Sequence, residues 1–211
     1  RLFNSSFGGC VPTELGELST LLSLEAYDNS LECAIPPQLA DMSDLRLLDL
    51  SNNTLTGCIP TELGIMPNLA ALRFSANSLG CTIPSELGGM AALTDLRLPD
   101  NSLTGPIPVE LASNSMLEVL FIQRNSLTGT IPPEFGIDCA LTWLQLQQNS
   151  LTGAIPADLA SCPFYDSAVD DESKKCWLTV CVPDHVTNIF DGPPPEEVCD
   201  ECVIITFKSP P

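Results

Sequence analysis

The sequence predicts an α/β-type solenoid, with short strands stacked into one parallel sheet, short 3₁₀ or α turns on the opposite face, and a disulfide-rich C-terminal cap. Three observations predict it. Prolines recur at Pro12, Pro36, Pro60, Pro84, Pro108, Pro132 and Pro156, every interval being 24 residues. Each proline follows Ile or Val, from Val11 to Ile155. Seven residues before each stands Asn29, Asn53, Asn77, Asn101, Asn125 or Asn149, with Ser5 in the first coil. Seven coils in phase, without an insertion, do not arise by chance.

Residue chemistry orders the elements within one coil. The stretch before each asparagine alternates in hydrophobicity, as in Leu96-Arg97-Leu98, and a period of two is that of a half-buried strand. Seven such strands at about 4.8 Å spacing make a sheet about 30 Å wide. The asparagine comes where the chain leaves the strand. Turned inward, its amide can satisfy loop groups that no ladder reaches. Leu31, Leu55, Leu79, Leu103, Leu127 and Leu151 follow, with Phe7 in the first coil. After Ile-Pro, proline suits the first helical position and a carboxylate its first turn. Glu14, Glu62, Glu86, Glu110, Glu134 and Asp158 fill that column, and only Gln38 breaks it. Solvation and the helix starts favour a structural reading of this column over a cation-binding stripe.

The full unit, L-x-x-L-x-L-x-x-N-x-L-x-G-x-I-P-x-E-L-G-x-L, resembles the plant-type leucine-rich repeat of polygalacturonase inhibitors and receptor-like kinase ectodomains. The resemblance covers residues 1 to about 162. It implies that the strand face is concave and that partners dock there. The chain departs from that family by lacking a paired-cysteine N-terminal cap and by carrying cysteines between coils.

Cys10/Cys33, Cys58/Cys81 and Cys139/Cys162 are each 23 residues apart, so each pair lies in neighbouring coils at nearly one phase. Disulfide partners need Cα atoms within about 7 Å, which adjacent coils provide. Pairing Cys33 with Cys58 would strand Cys10 and Cys81 roughly 14 Å apart. Disulfides Cys10–Cys33, Cys58–Cys81 and Cys139–Cys162 are therefore expected. The remaining cysteines, Cys176, Cys181, Cys199 and Cys202, follow the last repeat with zinc-like spacing. The stacked pairs favour an oxidising compartment and two further disulfides, whose three connectivities stay open. Residues 1–162 thus form the solenoid, and residues 163–211 a cap with a Pro-rich loop at Gly192-Pro193-Pro194-Pro195.

Lys+Arg number 8 against Asp+Glu 27, for a net charge of −19. That balance argues against nucleic acid and against an anionic membrane surface. No apolar run approaches the roughly 18 residues of a membrane helix. The acidic cluster Asp166, Asp170, Asp171 and Glu172 lacks the glycine and terminal glutamate of an EF-hand loop. His185 is the single histidine, and no nucleophile motif or phosphate-cradling loop occurs. No enzyme, metal or cofactor is expected.

Function then falls to the strand face, where alternation sets which residues point outward. One column runs Glu25, Asp49, Arg73, Arg97, Phe121, Gln145, from acidic through basic to apolar. Tyr27, Arg124 and Trp143 flank it. Trp143 and Phe121, beside Val119, form an aromatic patch of the kind enriched at interface hot spots. Arg73 and Arg97 suit a carboxylate on a partner. The sequons at Asn4 and Asn52 share one phase and favour secretion. A glycan on Asn52 would shift docking toward Arg97, Phe121 and Trp143. The leading expectation is an extracellular or cell-surface recognition module for a protein or polysaccharide. A structural subunit that packs against neighbouring subunits, through the open first coil with Leu2 and Phe7, is the alternative. Ice or mineral binding ranks third. It rests on Thr56, Thr104, Thr128 and Thr152, a column interrupted by Glu32 and Gly80.

Overall fold

The structure is a computed structural model describing residues 2–137 and 140–161. Its main sheet has six parallel strands: Ser23–Glu25, Leu47–Asp49, Ala71–Arg73, Asp95–Arg97, Val119–Phe121 and Trp143–Gln145. Each pairs with the next coil at a register of 24, as Leu24 with Leu48 and Leu48 with Leu72. The sheet is one strand narrower than seven coils predict. Among the described residues, the first coil contributes two main-chain bonds to its edge, from Leu2 to Glu25 and from Asn4 to Tyr27.

The asparagine ladder closes every coil onto the previous one. The Asn77 Oδ1 accepts from the Leu55 amide at 3.0 Å. Its Nδ2 reaches the carbonyls of Leu50, Phe74 and Ser75 at 3.1 to 3.2 Å. Asn53, Asn101, Asn125 and Asn149 repeat the pattern. Asn29 serves the first coil, where Ser5 has no amide to offer, by accepting from Ser5 and Phe7. One carboxamide thus satisfies groups in two coils that would otherwise be orphaned at the bend.

Inward residues of successive coils form one continuous core, from Val11 to Leu159, with Phe74 filling a leucine position at zero exposure. On the opposite face a short turn follows each Ile-Pro or Val-Pro. Most are 3₁₀, such as Thr61–Ile65, and Val109–Ala112 is α-helical. In several coils neighbouring turns approach too closely for a side chain: a Cβ on Gly64 would lie 2.5 Å from the Glu86 Cβ.

A second layer of pairing lies between the ladder and the turns. Gly8–Cys10 pairs with Ser30–Glu32, Thr56–Gly57 with Ser78–Leu79, and Thr104–Gly105 with Ser126–Leu127. These segments hold two or three residues each, too short for alternation to reveal them.

The disulfides sit at the end of this layer. Cys10 bonds Cys33 and Cys58 bonds Cys81, with Cα–Cα distances of 5.2 and 5.3 Å. Cys33 and Cys81 have φ of 69° and 62°. Every other coil places glycine at this phase, and Gly9, Gly57, Gly105, Gly129 and Gly153 also have positive φ. Each pair therefore joins the residue after one coil's glycine to a cysteine in the next coil's glycine position, which explains the spacing of 23. A left-handed cysteine costs about 1 kcal/mol or more, and the covalent link offsets it. Cys139, Cys162, the four later cysteines and the whole of 163–211 lie outside the described residues.

Two stability experiments follow. Asn77→Leu orphans main-chain groups in two coils and should cost about 2–4 kcal/mol, read as a lower denaturant midpoint. An unchanged midpoint would refute the ladder's structural role. Removing the second disulfide as Cys58→Ala/Cys81→Ala should cost about 3 kcal/mol. Cys58→Ala/Cys81→Gly should recover about 1 kcal/mol of that loss, because glycine accepts the left-handed backbone.

Candidate functional site on the strand face

The outward residues of the six strands stand in fixed columns because the register never slips. Val119 lies beside Trp143, Phe121 beside Gln145, and Arg97 beside both Arg73 and Phe121. The structure therefore brings Arg73, Arg97, Phe121, Trp143 and Gln145 together across four strands. Trp143 is 45% exposed. The Arg97 guanidinium carbon sits 5.1 Å from the Phe121 ring centroid, a cation–π contact.

Charges on this face are already paired within the chain. Arg73 donates Nε and Nη2 to Asp95 Oδ2 at 3.1 and 2.6 Å. Arg97 donates Nε to Asp95 Oδ1 at 2.8 Å. One carboxylate so holds two guanidinium groups, leaving the cluster one positive charge in surplus. Arg124 grips Asp100 through Nε at 2.6 Å and Nη2 at 2.9 Å. The expectation that Arg73 and Arg97 await a partner's carboxylate is thus modified. Their Nε atoms are engaged by Asp95, and the surplus charge is what they present outward.

The acidic end departs further from expectation. Glu25 and Asp49 stand at outward positions, yet they are only 9% and 8% exposed. Local bonds hold the carboxylates down. The Ser23 hydroxyl donates to Glu25 Oε1 at 2.7 Å, and the Ser51 amide to Asp49 Oδ1 at 3.0 Å. Tyr27 stacks on Phe3 with centroids 4.8 Å apart. Leu2, Phe3 and Phe7 of the first coil are exposed.

Just past the strands, Asn4 and Asn52 take left-handed φ of 51° and 53°, as do Asp28, Ala76, Asp100, Arg124 and Gln148 at the same phase. Asparagine tolerates that backbone, so the sequon residues also have a conformational reason to be there. Asn52 is exposed and donates Nδ2 to Asp28 Oδ1 at 2.8 Å. In the threonine column, the Thr104 and Thr152 hydroxyls donate to the carbonyls of Cys81 and Gly129, so those donors are spent internally.

Asp95, the organiser of the basic cluster, points outward by alternation but was not among the candidate site residues. Its signal was present: Asp95 lies two residues from Arg97 and one coil beyond Ala71, beside Arg73. Alternation points Gln123 and Gln147 outward as well, yet their Oε1 atoms are enclosed. Among the described residues no cluster of three or more His, Cys, Asp or Glu could hold a metal, and no helix is long and apolar enough to cross a membrane.

A leucine-rich repeat family model matches residues 44–66, 116–136 and 140–162. No curated protein matches the chain. Among solved structures, the ectodomain of the plant membrane receptor kinase GASSHO1/SCHENGEN3 from Arabidopsis thaliana, in complex with CASPARIAN STRIP INTEGRITY FACTOR 2, is 39% identical. It has a TM-score of 0.75, covering 77% of this chain and 20% of that one. The plant peptide hormone receptor RGFR1 in complex with RGF2 is 34% identical with a TM-score of 0.75, covering 87% of this chain and 27% of that one. A plant ice-binding protein is 27% identical with a TM-score of 0.60, covering 86% of this chain and 61% of that one. The chain thus spans less than a third of the receptor ectodomains it resembles. With the stacked coils, the asparagine ladder and these matches, the chain belongs to the leucine-rich repeat proteins of the plant-type, 24-residue class.

Proposed function

We propose that this chain is an extracellular recognition module that takes a protein partner, presented as an extended segment, on the C-terminal half of its strand face. One observation carries the reading. Arg97, Phe121 and Trp143 lie on three adjacent strands in fixed register, joining a surplus positive charge to an open aromatic surface. A rigid sheet holds these anchors in place, so binding spends little entropy on ordering them. The similar ectodomains support a ligand-binding role, and one of them is a peptide hormone receptor. Formed disulfides fit the oxidising compartment in which ectodomains work. A polysaccharide is the weaker candidate, because one face of Phe121 is already covered by Arg97. The chemistry is recognition without catalysis.

N-glycans on Asn4 and Asn52 belong to this reading. Both lie at the same phase, off the end of the strands, and leave the Arg97–Trp143 surface open. Secretion from a eukaryotic host should yield a protein that loses mass on treatment with a peptide:N-glycosidase. Asn4→Gln/Asn52→Gln should abolish that loss, and a wild-type mass unchanged by the glycosidase rules the glycans out.

The docking surface is tested with a partner captured on the 211-residue chain from an extracellular fraction. Arg97→Glu/Trp143→Ala should weaken its affinity about 100-fold, equivalent to about 2.7 kcal/mol, with the circular dichroism spectrum unchanged. An unaltered affinity would sink this choice of surface.

A further inference from the structure

We infer that Gln123 and Gln147 form a main-chain clamp for an extended peptide; this rests on the docking surface proposed above and names how a ligand is held there. Among the described residues, two enclosed side-chain polar atoms have no hydrogen-bond partner, and they are Gln123 Oε1 and Gln147 Oε1. Both orphans stand at one phase in adjacent coils, two residues past Phe121 and Gln145. Gln123 is only 8% exposed.

The main-chain carbonyls at both positions are engaged. The Gln123 carbonyl accepts from the Asp100 amide at 3.2 Å and from Asn125 Nδ2 at 3.3 Å. The Gln147 carbonyl accepts from the Arg124 amide at 2.9 Å. Both carbonyls are therefore held, while the carboxamide oxygens beside them are enclosed and unpaired. Buried polar groups in native proteins are paired with few exceptions, and an exception at a recognition face points to a missing donor. Both orphans fall on the same column beside the aromatic surface.

A carboxamide holds an acceptor and donors in one plane, so it can pair with both the N–H and the C=O of a peptide group. The last torsion of glutamine is soft, so either oxygen turns outward without moving the main chain. A peptide lying across these coils would give an N–H to each oxygen and accept from the amide nitrogens. Its side chains would meet Trp143 and Phe121 on one side and the surplus charge of Arg73, Asp95 and Arg97 on the other. The unpaired oxygens make the free protein less stable than it could be, and ligand binding releases that penalty. Recognition here is by main chain, so it tolerates many ligand sequences at these two positions.

The probe is a displayed library of random dodecapeptides selected on the 211-residue chain, keeping binders whose affinity falls with Arg97→Glu. Gln123→Leu/Gln147→Leu should raise the thermal midpoint by about 2–6 °C, because it removes the orphans. The same variant should weaken the selected peptides at least tenfold. N-methylation of one peptide amide should also cost at least tenfold on the wild-type chain and nothing on the variant. If affinity and the N-methyl response are unmoved by the double variant, the clamp is refuted while the docking surface stands. If no Arg97-dependent peptide is selected, or only oligosaccharides bind, both fall. Should the double variant not fold, Gln147→Leu alone, at the less buried position, carries the same comparison.

Discussion

Each ladder asparagine bonds to main-chain groups of two coils at once, and that double duty sets the length of every coil. The acceptor on Asn77 takes an amide 22 residues back, while its donor reaches a carbonyl 27 residues back and others two and three residues back. An inserted residue would break one set of bonds to keep the other. The interval of 24 is therefore enforced by hydrogen-bond stoichiometry inside a bend from which water is excluded. The sheet register, the columns of outward side chains and the approach of the convex turns all follow from it.

A fixed register turns a repeating scaffold into a non-repeating surface. Inward positions stay apolar, mostly Leu and Ile with Met42, Met66, Met90 and Phe74, because they share one core, whereas outward positions are released from packing and vary coil by coil. That freedom joins Arg73 of one coil to Asp95 and Arg97 of the next and sets a guanidinium over Phe121. The pairs are partly exposed, so they add little stability. What they add is orientation: Asp95 aims both arginines, and the aromatic patch lies beside them without loop motion. The glutamine column shows the opposite compromise, with carbonyls anchored and carboxamide oxygens unpaired. A protein shaped for stability alone would place apolar residues there.

The disulfides obey the same geometry. They use the left-handed phase that the other coils fill with glycine, replacing glycine by cysteine in two coils. Because each coil contacts only its neighbours, a covalent link between adjacent coils reinforces the weakest joint of a solenoid. The links lie away from the strand face, so they stiffen the array without occupying the surface that differs between coils.

Much of this architecture was legible in the linear sequence, because periodicity is a property of sequence. Pro12 to Pro156, the asparagine column and the 23-residue cysteine pairs required the coils, the ladder and the inter-coil disulfides. Alternation named the outward positions. Alternation says nothing about contacts between columns, which exist only once coils stack at about 4.8 Å. So only the tertiary structure decided that Glu25 and Asp49 are nearly buried, that Asp95 binds both Arg73 and Arg97, and that the Gln123 and Gln147 oxygens lack donors. The short second strands also emerged only there, being too brief to leave a period. Repetition wrote the scaffold into the sequence, and proximity between coils decided which of its exposed residues can act together.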